Sequence, residues 1–380
     1  MDKRISKSLL TSVNAALGGA HLSTTSLGRH LEGEAKTKNK IKRVSRLFSN
    51  PTLQKSFINF YQDMANLLLS KVKRPIILVD GSLFSTCGEF QFLSASTPAG
   101  GRSLPLLEQA FHRSEVMSSK AHKVFLEKLQ TLLPEGVKPI VVTDAGFQTP
   151  WFRNIEALGW DYIGRATSNV NYFNEEKRGW RPLEEIGKKA KQKPEFVMTT
   201  KVSKTNTLTQ SIYRFKSRSK GRKAMTLKGD DRRSAMYKKY SKRAKNPWIL
   251  LTSLSPDEYK PKDIINFYKT RMQIEESFRD LKDDYHGLGL VYNGSKDVDK
   301  ITIALLIGAI VRFLLWALGR AVKSLKYHLS YQANTIRKRN VLSLFYIARQ
   351  FLRNYKSYHK IDRPWRLVKL SNLSLEFIYI

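Results

Sequence analysis

The sequence has a single cysteine, Cys87, among its 380 residues. One thiol cannot form a disulfide within the chain, and it cannot supply the several thiolates of a Cys-based zinc site. This scarcity excludes a disulfide-stapled secreted scaffold and fits a reducing compartment. With 41% hydrophobic and 11% aromatic residues, the chain has enough apolar material for a sizeable core, and its length predicts two or three domains.

Acidic residues are also scarce: 32 Asp and Glu stand against 67 Lys and Arg, which gives a net charge of +35. So much charge of one sign destabilises a compact chain by self-repulsion, and a bound polyanion offsets that repulsion. Nucleic acid is therefore the expected partner, in preference to an anionic membrane surface. A ribosome-like or merely soluble basic protein is the alternative.

Long hydrophobic runs are rare. The N-terminal residues lack an apolar stretch long enough for a secretory signal, so we expect a cytoplasmic protein. One run, Ile301 to Val322, has the length of a membrane span. Arg312 lies at its middle and Arg320 near its end, and an arginine at mid-span costs several kcal/mol in lipid. We interpret the run as a buried core helix and expect no membrane partner.

Several catalytic motifs are missing. None of the seven histidines is followed three residues later by the arginine that a tyrosine recombinase requires, and no His-hydrophobic-His pair supports a rolling-circle nicking enzyme. The chain also lacks a Gly-x4-Gly-Lys-Ser/Thr loop, so we expect no nucleotide cofactor.

Residues 1 to about 70 are predicted to be helical. In the segment that starts at Lys40, apolar residues recur at helical spacing and basic residues lie elsewhere around the helix. Such a basic helical module suits DNA contact, with Lys42 and Arg43 as candidate contacts. An ordinary amphipathic helix with a solvated basic face is the alternative.

Two short apolar runs predict buried strands of an α/β sheet. Pro75-IILVD and Pro139-IVVTDAG are rich in β-branched residues, and in our interpretation each strand ends in an aspartate, Asp80 or Asp144. The carboxyl ends of such strands are where open α/β sheets place their active sites. Trp160-DYIGRAT and Trp248-ILLTSL are two further predicted strands.

The polar segment between them, about 168 to 245, is predicted to be a β-rich or irregular insertion. Its part from Arg214 to Lys245 holds 14 Lys and Arg and only two acids. We expect a flexible loop that contacts the DNA backbone and supplies affinity without sequence choice, although a merely solvated loop is the alternative. The candidate contacts are Lys216, Arg218, Lys220, Arg222 and Lys223.

The segment from about Lys262 to Asp284 predicts one helix. On a helical wheel Tyr268, Arg271, Glu275 and Lys282 fall within about 60° of one another, beside a separate apolar stripe. Side chains in such a row, at the margin of the buried face, are expected to point into a cleft. A solvated face is the alternative, but it would favour Glu–Lys pairs at i,i+4 spacing, and this row has Arg271 before Glu275 instead.

The spacing Tyr268-x2-Arg271-x3-Glu275-x6-Lys282 resembles the signature of the IS-four family of insertion-sequence transposases, especially the branch represented by the tetracycline-resistance transposon. The resemblance continues in order along most of the chain. Its other segments are Leu27-GR, Lys38-NKIKRVSRL, Val79-Asp80, Thr143-DAGFQTPWF, Lys216-SRSKGRK, Met272-QIEESFRDLK, Gly287-LGL and Gln332-ANTIRKRNVLS.

The resemblance implies an α/β fold, with an RNase H-like catalytic core, a β-rich insertion, and helical N-terminal DNA-binding and C-terminal regions. It implies that Asp80, Asp144 and Glu275 are the catalytic acids and hold Mg²⁺ or Mn²⁺, two ions per active site. Arg271 and Lys282 would clamp phosphate, and Tyr268 would donate to a phosphate oxygen. Gly81 departs from the tryptophan that relatives often carry there, which leaves the neighbouring substrate contact in doubt.

Trp248 stands twenty residues before Tyr268, a placement that resembles the family's flipped-base tryptophan. Stacking on an extruded base is worth roughly 1–3 kcal/mol. A core tryptophan that starts a buried strand is the alternative, and the sequence does not decide between them.

The expected organisation has five segments: a DNA-binding domain (1–70), two parts of the catalytic core (71–167 and 246–298), the basic insertion (168–245), and a helical region that is a candidate for dimerisation (299–380). The expected partners are double-stranded DNA, both terminal inverted repeats and target, and a second copy of the chain, in the bacterial cytoplasm. The alternatives are a catalytically silent DNA-binding derivative and an RNase H-like nuclease that cuts without joining.

Overall fold

The computed structural model describes residues 2–83, 88–167, 169–217, 246–333, 335, 341–354, 364–368, 373 and 375. The chain divides into two compact units. The first unit consists of Met1–Val137 and Met272–Ile380, and the second unit is Lys138–Arg271. The function expected for each of the five sequence segments stays a prediction, and their boundaries differ from those of the two units.

The described residues form a mixed α/β structure. The helices are α1 (Lys3–Leu17), α2 (Thr24–Arg29), α3 (Thr37–Phe48), α4 (Pro51–Leu69), α5 (Ser119–Leu132), α6 (Thr149–Ala157), α7 (Glu184–Lys188), α8 (Pro261–Lys269), α9 (Met272–Lys282), α10 (Val298–Ser324) and α11 (Leu344–Asn354). The strands are β1 (Ile76–Leu83), β2 (Phe90–Pro98), β3 (Ser103–His112), β4 (Ile140–Thr143), β5 (Asp161–Arg165), β6 (Asn171–Asn174), β7 (Gly179–Pro182), β8 (Glu195–Val202), β9 (Leu208–Phe215) and β10 (Trp248–Thr252).

Three of the four described N-terminal helices, α1, α2 and α4, begin where a side chain caps them. Asp2 caps α1, Ser23 caps α2, and Asn50 accepts from the Leu53 amide at 2.9 Å to cap α4, with Pro51 in its first turn. Each cap satisfies an amide that the helix leaves without a partner. One apolar face of each of these helices is buried, as the periodicity predicts, although Leu10 and Leu67 are exposed.

Strands β1, β2 and β3 of the first unit form an antiparallel meander. Gly100 and Gly101, both at positive φ, lie in the turn between β2 and β3, where residues with a Cβ would be strained. The expectation that the first strand ends at Asp80 is wrong. Strand β1 continues to Leu83 because β2 pairs with it as far as Gln91, although full burial does stop at Val79.

Helix α10 is the buried core helix of the first unit, and it packs against β3 and the N-terminal helices. It is the one described helix long and apolar enough for a membrane span, and 89% of its most apolar window is buried in the protein. Arg312 is almost fully buried and forms an ion pair with the buried Glu108 of β3. Ser94 donates to the other oxygen of Glu108 at 3.2 Å. The mid-helix arginine therefore has a protein partner inside the core.

The second unit is built on a sheet. Its described strands run in the order β4-β5-β10-β9-β8-β6-β7, and β4 pairs with β5 in parallel while the remaining pairs are antiparallel. Side chains of α7 pack with the sheet in an apolar core. This core contains Tyr172, Leu183, Ile186, Val202, Ile212, Ile249 and Leu251. The strands described between 168 and 217 agree with the predicted β-rich segment.

The prediction of one helix over 262–284 is wrong. Helix α8 ends at Lys269 and α9 begins at Met272. At the break, the Thr270 hydroxyl donates to the Phe267 carbonyl at 2.6 Å, and the amides of Thr270 and Arg271 bond three residues back instead of four. Such local side-chain bonds compete with the helical ladder. The four signature residues therefore do not share one helix.

Candidate active site

Asp80 lies at the point where β1 leaves the buried interior. The four residues before it are buried, whereas its own side chain is partly exposed and its Oδ1 accepts from the Gly81 amide at 2.8 Å. Ser94 faces it across the sheet in the pairing of β1 with β2. A carboxylate at this position is accessible to solutes yet fixed by a rigid strand.

Lys282 and Ser82 join β1 to α9. The Lys282 ammonium donates to the Ser82 hydroxyl at 2.7 Å. Side chains two residues apart on a strand share a face, so Ser82 and Asp80 face the same way. Burial lowers the pKa of Lys282, while the negative charge of Asp80 acts to raise it. The lysine therefore lies within the electrostatic field of the first predicted acid.

Helix α9 carries Glu275, and contacts with the β2–β3 turn hold this helix. Gln273 accepts from the Ala99 and Gly101 amides at 3.2 and 3.1 Å. Ser277 accepts from the Ser103 amide at 2.7 Å. The Glu275 carboxylate therefore lies on a helix that hydrogen bonds hold at two successive turns.

Further contacts extend this attachment towards the end of α9. Arg102 forms an ion pair with Asp280 at 2.6 Å, and Phe278 packs edge-on against Phe92 with ring centres 5.2 Å apart. Because Glu275 is two turns before Lys282, the two residues lie on the same face of α9. The first unit thus brings Asp80, Ser82 and Lys282 together and places Glu275 on the helix face that carries Lys282.

Asp144 follows directly after β4, as the sequence predicts for the end of this strand. Its side chain is partly exposed, and its Oδ1 accepts from the Gly146 amide at 2.7 Å. Like Asp80, it combines a rigid strand behind it with an accessible carboxylate.

Tyr268 of α8 is 4% exposed and lies in the charged surroundings of the second unit. Burial is the largest influence on the pKa of Tyr268 and raises it, and the Asp144 carboxylate also raises it. The charges of Arg271 and Arg165, and a hydrogen bond with Arg271, lower this pKa. The net effect is a higher pKa, so the phenol keeps its proton at neutral pH and remains a donor. Tyr268, Arg271 and Asp144 are therefore electrostatic neighbours.

Trp248 begins β10 and is partly exposed. Its ring lies 5.0 Å from that of Tyr268, nearly edge-on, and 5.6 Å from that of Phe215. The ring is therefore held in place by two aromatic neighbours while one part of it stays accessible. Both interpretations of Trp248 stay open.

The predicted basic contacts differ in their surroundings. Lys216 and Lys42 are exposed, whereas Arg43 is half-buried and donates to the Ser8 hydroxyl at 3.1 Å, so it also ties α3 to α1. The other predicted contacts lie outside the described residues; they are Arg218, Lys220, Arg222 and Lys223. DNA contact by any of these residues stays a prediction.

The donor chemistry of the three predicted acids suits Mg²⁺ or Mn²⁺, because carboxylate oxygens are the ligands that these hard ions prefer. Within the described ranges, no three His, Cys, Asp or Glu side chains are gathered as a metal cluster. The metal site and its ligands stay a prediction.

Sequence reasoning missed several residues of the site. The contacts of Ser82, Gln273 and Arg102 could not be predicted from local sequence, because each residue has its partner more than 170 residues away. Arg165 lies within a predicted strand and ends the observed β5, and nothing in its local sequence indicates that its charge reaches Tyr268.

Comparison with known families identifies the class of this protein. Residues 71–314 match the family described as Transposase DDE domain. Since the match covers more than half of the chain, the protein belongs to this family, and membership supports a transposase function with DNA as the substrate. No curated protein matches the chain.

Proposed function

We propose that the protein is an insertion-sequence transposase of the IS-four family, of the branch represented by the tetracycline-resistance transposon, that moves DNA by cut-and-paste transposition. The observation that carries the proposal is the 2.7 Å hydrogen bond from Lys282 to Ser82 beside Asp80. It links the strand of the first predicted acid to the helix of the third. An RNase H-like core is part of the proposal, supported by the β1–β3 meander and the parallel β4–β5 pair.

Asp80, Asp144 and Glu275 would hold two divalent ions, Mg²⁺ or Mn²⁺. When bound, such ions supply an activated attacking oxygen and stabilise the departing 3′ oxygen of a phosphodiester. The support from this chain is that all three side chains are partly exposed carboxylates, two of them on or directly after a strand.

Lys282, Arg271 and Tyr268 would stabilise the negative charge that builds up on the phosphoryl oxygens. Lys282 supplies a point charge whose position is fixed by Ser82. The guanidinium of Arg271 suits two oxygens of one phosphate, and Tyr268 keeps its proton because burial raises its pKa. None of these side chains has to act as a nucleophile.

Trp248 would hold a base that is flipped out when a hairpin forms at the transposon end. Contacts with Tyr268 and Phe215 fix its ring in advance, which lowers the ordering cost of stacking. A base stacked on a fixed ring gains roughly 1–3 kcal/mol, which offsets much of the unstacking cost.

The protein would act as a homodimer on two inverted-repeat ends in the bacterial cytoplasm. The net charge of +35 supports DNA binding, and exposed Lys42 of α3 supports a role for the N-terminal helices. Each end would be nicked, closed into a hairpin, reopened and joined to target DNA.

The test is an incubation of purified protein and Mg²⁺ with a labelled duplex that carries the terminal repeats flanking the coding sequence. We expect nicked, hairpin and joined products in succession. Nicked DNA alone would support the RNase H-like nuclease. Tight binding without any product would support the catalytically silent DNA-binding derivative, and both outcomes would contradict the proposal.

A further inference from the structure

A cleft of about 540 Å³ opens in the second unit, on the side of α8 away from Tyr268. The residues before β8, the end of β9 and one face of α8 line it. The lining residues are Gln192, Lys193, Pro194, Phe215, Lys216, Lys262, Asn266 and Lys269. The Lys216 amide donates to the Lys191 carbonyl at 2.8 Å, which ties the two strand ends together.

Two faces of helix α8 have different surroundings. Lys262, Asn266 and Lys269 follow the i, i+4, i+7 spacing of one helix face, which lies about 100° to 160° around the helix from Tyr268. Tyr268 faces Trp248 and the charge of Asp144, whereas the two lysines face the cleft. The cleft is therefore a feature of its own and is not formed by the residues proposed to act on the reacting phosphate.

Among the described residues, four lysines line this cleft and no lining residue is acidic. Two carboxylates stand next in sequence to lining residues. Glu195 accepts from Arg214 at 2.7 Å, and this bond holds its pKa below the ordinary value. The acid of α8, Asp263, accepts from the Lys260 amide at 3.1 Å at the start of the helix. Four ammonium groups that share one concave surface repel one another, and an anion bound among them offsets that repulsion.

The lining favours phosphate over nucleobases. Phe215, the one aromatic residue among the described lining residues, is 8% exposed because Trp248 packs on it and the Lys269 ammonium lies 5.5 Å from its ring centre. The described part of the lining therefore offers no broad aromatic face to a base. Lysines are flexible point charges that suit phosphate oxygens, and they carry no information about the sequence of the DNA.

We propose that the cleft lined by Lys193, Lys216, Lys262 and Lys269 is a binding site for a phosphodiester segment of the DNA backbone. This inference rests on the proposed function, because it takes the transposase's own DNA as the ligand. The site contributes affinity and salt dependence, and it takes no part in bond breaking.

The test compares two variants of the full-length protein with equal loss of charge. In the cleft variant the four cleft lysines become glutamine (K193Q, K216Q, K262Q, K269Q). In the control variant four exposed lysines of the same unit outside the cleft become glutamine (K177Q, K189Q, K201Q, K204Q). Fluorescence anisotropy with a labelled duplex of arbitrary sequence measures the association constant between roughly 50 and 200 mM salt.

Each phosphate contact adds about 0.9 to the steepness of the plot of log association constant against log salt concentration. We therefore expect the steepness to fall by about 2 to 4 in the cleft variant and by less than about 1 in the control variant. Equal losses in both variants would overturn the inference while leaving the proposed function in place. Wild-type protein that binds no DNA would contradict both.

A second measurement needs no variant. Lysines of the wild-type protein are acetylated with and without the same duplex, and protection is read by mass spectrometry. We expect DNA to slow acetylation of the four cleft lysines several-fold more than that of Lys177, Lys189, Lys201 and Lys204. Equal acetylation rates of the cleft lysines in both samples would overturn the inference even if the cleft variant failed to fold.

Discussion

Lys282 donates a hydrogen bond of 2.7 Å to Ser82, two positions after Asp80 on the same strand. This contact joins residues 200 positions apart in the sequence and fixes a positive charge beside a predicted metal-binding carboxylate. In the absence of metal, Lys282 offsets part of the charge of Asp80. Under the proposed function, Ser82 already holds this ammonium in place before a phosphate binds.

The first prediction concerns the pKa of Lys282. Asp80 acts to raise that pKa, so Asp80→Asn lowers it further below the ordinary lysine value. A lower pKa means more neutral amine at pH 8 to 9, and we expect faster acetylation of Lys282 in the variant, read by mass spectrometry. Asp63→Asn, an exposed acid in the same unit, serves as the control and should leave the rate unchanged. The same rate in Asp80→Asn as in wild type would refute the coupling.

The same shift has a consequence for stability. Because the pKa of Lys282 is lower in the folded protein than in the unfolded chain, the unfolded chain binds more protons between the two pKa values. The contribution of Lys282 to stability therefore becomes more favourable as pH rises through that window towards the ordinary lysine range.

The second prediction separates the two interpretations of Trp248. If the ring holds a flipped base, Trp248→Ala leaves nicking intact and slows hairpin formation about 5- to 150-fold, which corresponds to the loss of one stacked base. Trp180→Ala removes another partly exposed tryptophan of the same unit, one that packs on Phe173, and should slow neither step. Gel analysis of the labelled strand measures both steps. Hairpin formation at the wild-type rate would show that Trp248 serves only as a core residue.

The third prediction treats Gln273 as a positioning residue for the helix of Glu275. Gln273→Ala removes the acceptor for two amides of the β2–β3 turn and should cost about 1–2 kcal/mol of unfolding free energy in urea. We expect the rate at saturating DNA to fall while DNA affinity stays the same. Gln273→Glu keeps an acceptor oxygen and should restore most of the rate.

Gln130→Ala, at an exposed position of α5, is the matched control for Gln273 and should change neither stability nor rate. A Gln273→Ala protein with wild-type rate would show that the contact with the turn does not position Glu275.

The fourth prediction concerns the buried pair of Glu108 and Arg312. Removing one partner leaves an uncompensated charge in the core, so Arg312→Met should cost about 3–5 kcal/mol of unfolding free energy. The double variant Glu108→Leu with Arg312→Met should recover much of that loss. Arg279→Met breaks a surface pair with Glu276 and should cost less than about 1 kcal/mol. A small effect of Arg312→Met would contradict a core role for this ion pair.

Features that depend on local sequence were predictable. The apolar runs before Asp80 and Asp144 form strands, and the run around Arg312 forms a buried helix, because burial of such runs does not depend on which partner covers them. The helical character of the first 70 residues follows in the same way.

Features that depend on distant partners were not predictable. Glu108 of β3 is buried, although a glutamate in isolation is expected to be solvated. Its burial depends on the ion pair with Arg312, which lies 204 positions later in the sequence. The hydroxyl of Thr270 divides a segment whose periodicity is continuous, and the lysines of the cleft come from three separate stretches of chain. Helical periodicity describes each half of the signature segment correctly but does not reveal the break between them.

The most direct test of the proposed function compares two neighbouring glutamates of α9. Glu275→Gln removes the predicted metal-binding carboxylate, whereas Glu276→Gln removes an acid that forms ion pairs with Arg279 and Arg102. Each protein is incubated with Mg²⁺ and the labelled terminal-repeat duplex, and nicked, hairpin and joined products are measured. We predict that Glu275→Gln lowers product yield by at least about a thousandfold, while Glu276→Gln stays within about threefold of wild type. Equal yields from Glu275→Gln and wild type would contradict the assignment of the catalytic acids.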